Sequence, residues 1–333
     1  MRTFLILSAF VAQAVAAAPT YKVIDRISGP DGGWDYARVD TDNNRVLVAR
    51  GTSIMAVDLA TGAVTPGLAP GARLHDALPL GPEMLVTNGG NATAVFADAK
   101  TGATIATVAT GKGPDAETLD PQSGLVLVMD HAGGQVTLVD PKTHATVGTI
   151  DVGGDMEAAA VKDGRAYVNV EDKNEIAVID IAGRKVASRW ALPGCDAPTG
   201  IALIDGGKRL IAACDGSSVI VDIASGKVVQ TLPTGKGADG VAYDAKRNLA
   251  FVPAGRDGTL AVIDLSGKAA KIVQTVPTQV SARTIAIDPR SGRLYLPAAS
   301  FGPPATAGGR PSPVPGSFVL LVVDPSPQAS TTH

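Results

Sequence analysis

An apolar strand that ends in aspartate recurs along this chain. "IMAVD" closes at Asp58, "AVFAD" at Asp98, "VTLVD" at Asp140 and "IAVID" at Asp180, followed by "VIVD" at Asp222, "LAVID" at Asp264 and "LLVVD" at Asp324. The intervals are 40, 42, 40, 42, 42 and 60 residues. A period near 40 built from short Val/Ile/Leu runs is the signature of propeller blades of four strands each. The last interval is long because residues 301–317, "FGPPATAGGRPSPVPGS", insert a Pro/Gly-rich loop between two strands. That insertion reads as a lid over one mouth of the propeller or as a docking loop for a partner.

One unit shows how the residues write the blade. "AETLD" is the inner strand, "LVLVM" the second, "QVTLVD" the third and "ATVGTI" the outer one, with "PQSG", "DHAGG" and "PKTH" as connections. β-branched runs bounded by Gly, Pro, Asn and Asp are the expected strand pattern. With 38 Gly, 23 Pro and only 4% aromatic residues, the composition suits many short strands and tight turns better than long helices. "YKVIDRI", before the first full unit, has no repeat of its own and is expected to complete the seventh blade, closing the ring and hiding its sheet edges. The expected fold is therefore all-β: a single seven-bladed β-propeller over residues 17–325, with a disordered tail over 326–333.

The units "GLVLVMDHAGGQVTLVDPKTHATVGTIDVG" and "NLAFVPAGRDGTLAVIDLSG" resemble the YVTN-type repeats of the YncE-like seven-bladed propellers. The resemblance covers essentially the whole chain after its leader. It implies the fold and not an activity, since propellers carry binding proteins, lyases and hydrolases alike. Many YncE-like proteins are exported and have no established activity.

Residues 1–16 read as a secretory signal peptide: Arg2, an apolar run from Phe4 to Val11, and the small-x-small site Ala14-Val15-Ala16. The apolar run is too short to span a bilayer. The expected location is periplasmic or secreted. In that oxidising setting the two cysteines, Cys195 and Cys214, are expected to form a disulfide, because neighbouring antiparallel strands bring them to one face. The net charge of −3 with mixed signs excludes the basic stripe of a nucleic-acid binder.

Stepping back five positions from each inner-strand end gives Asp35, His75, Asp115, Glu157, Thr199, Asp239 and Arg283, at spacings of 40, 40, 42, 42, 40 and 44. Equivalent positions in a propeller surround its axis, so these seven are expected to ring the channel mouth on the face that carries the loops between second and third strands. Asp35, His75, Asp115 and Glu157 form an acidic arc. Oxygen ligands with one histidine suit Ca²⁺, Mg²⁺, Mn²⁺ or Zn²⁺. The same groups could equally hydrogen-bond water at a wet channel mouth. Loops on that face add Glu171 and Asp172, Asp130 and His131, Arg256 and Asp257, with Arg50 and Trp34 on the rim. Trp34 either stacks a ligand or packs against a neighbouring blade.

The ligand-binding set expected from the sequence is Trp34, Asp35, His75, Asp115, Glu157, Glu171, Asp239 and Arg283. The metal set is Asp35, His75, Asp115 and Glu157. No catalytic residue is defined; His75, Asp239 and Arg283 are the candidates. No organic cofactor is indicated: "ATGKGPD" and "PTGKGAD" lack phosphate-loop spacing, and C-x-x-C-H, G-x-S-x-G and H-E-x-x-H are absent. The expected function is an exported propeller that binds a small ligand, a cation or an exported protein partner on this face. A metal-dependent hydrolase or lyase acting on a lactone, ester or sugar is the alternative.

Overall fold

The computed structural model describes residues 19–304 and 311–326. The expected signal peptide, residues 305–310 of the insertion and residues 327–333 of the tail lie outside the described residues.

The described chain is all-β, without an α-helix among the described residues, and its strands pair antiparallel in sheets. In one unit Pro114–Leu119, Val126–Asp130, Gln135–Asp140 and Ala145–Asp151 follow one another as neighbours. These bounds match the four strands expected from "AETLD" to "ATVGTI". Three further units, starting at Met156–Lys162, Ile201–Ile204 and Ala242–Asp244, repeat the arrangement. The first two units merge into a seven-stranded sheet because Val64–Leu80 runs without a break from the outer position of one to the inner position of the next. In the last sheet the order is Ala286–Ile287, Leu294–Ala298, Val319–Ser326 and then Thr20–Ser28. The strand containing "YKVIDRI" thus pairs antiparallel with the final strand of the chain.

Six of the seven repeated aspartates cap turns, while Asp324 lies inside its strand and accepts from Arg293 Nε at 2.9 Å. The Asp58 carboxylate accepts from the amides of Ala60 and Thr61 at 3.0 and 2.8 Å, and from the Thr61 hydroxyl at 2.8 Å. Asp98 repeats this with Lys100 and Thr101, and Asp222 with Ser225. Aspartate recurs at these strand ends because its short carboxylate satisfies the turn amides that the ladder leaves free. Gly102, which closes the turn that Asp98 caps, has a φ of +70°, and a Cβ there would overlap the Leu68 carbonyl oxygen. Only glycine fits that corner.

Second strands such as Arg45–Ala49 and Leu249–Ala254 are buried at every position, whereas outer strands such as Lys271–Pro277 are largely exposed. The cause is stacking: each sheet is covered on both faces by its neighbours. Leu127, Met129 and Leu138 of one sheet meet Val168, Val170 and Ile179 of the next. Val46, Val48 and Met55 near the start of the chain meet Tyr295, Phe318 and Leu320 near its end. Burying each such side chain contributes about 1.5–3 kcal/mol. Cys195 and Cys214 are both buried and form a disulfide, as expected, with Cα atoms 5.2 Å apart. No described helix is long and apolar enough to cross a membrane.

Candidate functional site

The residues preceding or opening successive inner strands come together in space. His75 Nδ1 lies 2.6 Å from Asp35 Oδ2 and 3.6 Å from Asp115 Oδ1. Arg283 donates from Nε to Asp239 Oδ2 at 2.8 Å, and its Nη2 sits 3.7 Å from Asp35 Oδ1. Asp35, His75, Asp115, Asp239 and Arg283 are thereby linked by direct or near-direct contacts. Glu157 extends the arc: its Oε1 lies 3.1 Å from His131 Nδ1. Thr199 does not take part, since its hydroxyl donates to the Ala238 carbonyl at 3.1 Å.

Two residues of the site are not among those expected to bind. Tyr36, next to Asp35, donates its phenol to Glu157 Oε2 at 3.3 Å. Its position after a ring residue was the available signal. His131 stands on the connection between the second and third strands of its unit, and its contact with Glu157 places that connection beside the ring. The histidine is also 3.1 Å from the Met156 carbonyl oxygen. Glu171 lies near the same pair.

The rim residues divide. Trp34 is 6% exposed and packs against Phe318 and Phe301, with ring centroids 5.6 and 5.9 Å away. The neighbour-packing alternative holds for it. Arg50 is buried too: it donates to the carbonyls of Pro30, Gly32 and Gly33 and lies 3.3 Å above the Phe318 ring. It is a fastener for the entry loop, and burial lowers its pKa to about 10. Asp172 accepts from the Asp155 amide at 2.8 Å, and Asp257 from the Lys236 amide at 2.9 Å. Asp130 is buried and accepts from the Thr137 hydroxyl at 2.6 Å. Arg256 pairs with Asp215 at 2.6 Å and, with Arg283, Val280 and Ser281, lines a pocket of about 380 Å³.

Several carboxylates crowd around one guanidinium, and the electrostatics follow. Burial first, then the charges of Asp35, Glu157 and Asp239, push the Asp115 carboxyl well above the usual carboxylate range. Burial and the charge of Asp35 raise Asp239 to about 8 against the opposing pull of Arg283. Burial and Glu157 raise Glu171 as well. His131 is raised to about 9, chiefly by its bond to Glu157. Tyr36 is raised by burial and by the Glu157 charge, so it remains a phenol at neutral pH. Asp115 Oδ1 is sealed from solvent and accepts no hydrogen bond. A buried carboxylate oxygen without a donor is costly unless a proton or a cation meets it.

Below the ring, inner strands of several units converge. Tyr36, Ala158, Gly200, Gly240 and Ile285 line a cavity of about 160 Å³. A Cβ at Gly200 would lie 2.5 Å from the Gly240 carbonyl carbon, so the strands approach closely there.

No protein-family model and no curated protein sequence matches this chain. Among solved structures it is similar to a chain of the "Crystal Structure of Mitotic Checkpoint Complex", with a TM-score of 0.75 at 13% identity over 98% of each chain. It is also similar to Kuenenia stuttgartiensis hydrazine synthase, with a TM-score of 0.65 at 15% identity over 87% of this chain and 96% of that one. The four-stranded antiparallel sheets and these neighbours together define the architecture. The fold is a β-propeller. Likeness at such identity speaks to the fold alone.

Proposed function

We propose that this chain is an exported, seven-bladed propeller of the YncE-like kind that holds a divalent cation at its channel mouth and binds a small ligand there. The blade count is supported by the pairing of Thr20–Ser28 with Val319–Ser326 and by the apolar layer that first and last units share. Export is supported by the leader-like N-terminal sequence and by the buried disulfide.

The observation that carries the binding reading is Asp115. Its buried, donorless Oδ1 belongs to the group Asp35, His75 and Asp115, whose ligand atoms all lie within 4.8 Å of one another. Two carboxylates and an imidazole suit Mn²⁺ or Zn²⁺, with Ca²⁺ or Mg²⁺ completed by water. The experiment is metal analysis of protein purified without chelator, with thermal melts under added cations. A cation that raises Tm in wild type and not in Asp115→Asn supports the reading; no bound metal and no cation-dependent Tm rejects it.

A second reading, the metal-dependent hydrolase or lyase, is favoured by Asp239. A carboxyl titrating at about 8 can exchange a proton near neutral pH, and its partner Arg283 lines the adjacent pocket. A screen of lactones and esters with the cation-loaded protein, beside Asp239→Asn, tests it. Turnover lost in that variant supports catalysis, and absence of turnover leaves a binding protein.

A further inference from the structure

The ring carries a second group of metal-ligating side chains. Asp115, His131 and Glu157 also present ligand atoms that all lie within 4.8 Å of one another. Asp115 is common to both groups, so they are two halves of one constellation. We infer that the channel mouth is a two-cation site, with Asp115 as the shared carboxylate, Asp35 and His75 on one cation, and His131 and Glu157 on the other. This rests on the single-cation reading above and extends it.

Four features argue for the pair. The first is symmetry of donors: each half has one imidazole and one carboxylate of its own, on either side of Asp115. The second is the state of Asp115, whose Oδ1 accepts from no donor although it is buried. A carboxylate shared by two cations accounts for an Oδ1 left without a hydrogen-bond donor, with ligand atoms of His75 and His131 both within reach.

The third feature is the way Glu157 is held. Tyr36 donates to Oε2, which fixes the carboxylate with Oε1 turned toward His131. Hydrogen bonds of this kind orient a metal ligand from behind. The fourth is charge. Arg283, the one guanidinium bonded into the ring among the described residues, meets Asp239 and Asp35 and leaves Asp115, Glu157 and Glu171 without a guanidinium partner there. A single divalent ion on the Asp35 side leaves Glu157 and Glu171 opposed only by His131. In paired sites of this type the ions lie about 3.5–4 Å apart, and an oxygen of a bound ligand can span them.

Mn²⁺ is the probe, because oxygen ligands with one imidazole suit it and its spin reports on a neighbour. Equilibrium dialysis should give two Mn²⁺ per wild-type chain, and the electron paramagnetic resonance spectrum should become exchange-coupled as the second equivalent binds. In His131→Gln the stoichiometry should fall to one, the coupling should vanish, and affinity for the remaining ion should stay within about threefold. His75→Gln should remove the other ion.

One Mn²⁺ in wild type overturns the two-cation inference and leaves the single-cation reading standing. No Mn²⁺ overturns both. Two ions without coupling, or two retained in a folded His131→Gln, reject the shared carboxylate. If either variant does not fold, the wild-type stoichiometry and spectrum decide alone.

Discussion

Arg38 grips Asp76 with two nitrogens, Nε donating to Oδ1 at 2.7 Å and Nη2 to Oδ2, across the boundary between the first two units. Asp76 is wholly buried, and the backbone amide of Glu117 in the third unit also bonds to it at 3.3 Å. Glu117, 1% exposed, accepts from the Leu78 amide through Oε1, while its Oε2 has no partner. Burial and the Asp76 charge raise the Glu117 carboxyl well above its usual range. The Arg38 guanidinium therefore bonds the Asp76 carboxylate and also donates to the backbone carbonyl of Glu117, so the inner strands Ala37–Asp40, Val64–Leu80 and Pro114–Leu119 are tied together beneath Asp35, His75 and Asp115.

Removing that guanidinium should be costly. Arg38→Met leaves the buried Asp76 carboxyl without its partner, a loss of about 3 kcal/mol; the low end of the range applies because the Arg38 side chain is 31% exposed. Urea unfolding checks it. The double variant with Asp76→Leu should recover part of the loss, and a cost under about 1 kcal/mol in the single variant would show the network to be dispensable.

Stability without cations should fall as pH rises. Asp239 has its pKa raised from 3.8 to about 8 by burial and by Asp35, so the folded state keeps a proton that the unfolded chain releases. Stability from this group is complete below about pH 4 and is lost as pH climbs through 8. His131, raised from 6.5 to about 9 by Glu157, adds a loss of the same sign between those values. Melts in chelator from pH 5 to pH 9, at fixed ionic strength, should show a declining Tm, and Asp239→Asn should flatten the part below pH 8. A Tm that rises over this range contradicts the assignment.

Cation binding should show the opposite trend. Asp115 is raised by burial and by neighbouring carboxylates, so a cation must displace its proton. Mn²⁺ affinity measured calorimetrically should increase from pH 6 to pH 8, with proton release detected as a dependence of the heat on buffer. Asp115→Asn should abolish the binding heat, because the carboxylate that the cation would recruit is gone.

The disulfide joins residues 19 apart in sequence and lies in the apolar layer with Leu210, Val219 and Tyr167. Replacing both cysteines with alanine should cost about 3 kcal/mol, the chain-entropy value for a closed loop of that size. Denaturation of the oxidised protein beside the variant measures it, and near-equal midpoints would refute the estimate.

Much of this was legible in the sequence because the repeat fixes backbone slots. Asp58, Asp98 and Asp222 occupy equivalent strand ends and cap equivalent turns, and Asp35, His75, Asp115, Asp239 and Arg283 occupy equivalent inner-strand positions and meet. A slot does not set the direction of a side chain. Thr199 shares the slot but satisfies its hydroxyl on a carbonyl, and Arg50 turns inward to three carbonyls instead of outward to the rim. His131 and Tyr36 reach Glu157 from outside the slot. Such contacts join different units, and no spacing within a unit encodes them.

The strand Thr20–Ser28 is synthesised before any other described strand, yet its partner Val319–Ser326 is synthesised last. The final sheet cannot be completed until Val319–Ser326 has been made. The leading strand waits for its partner while every intervening unit is made. A chain so arranged clasps its two ends together only after every unit between them has been made.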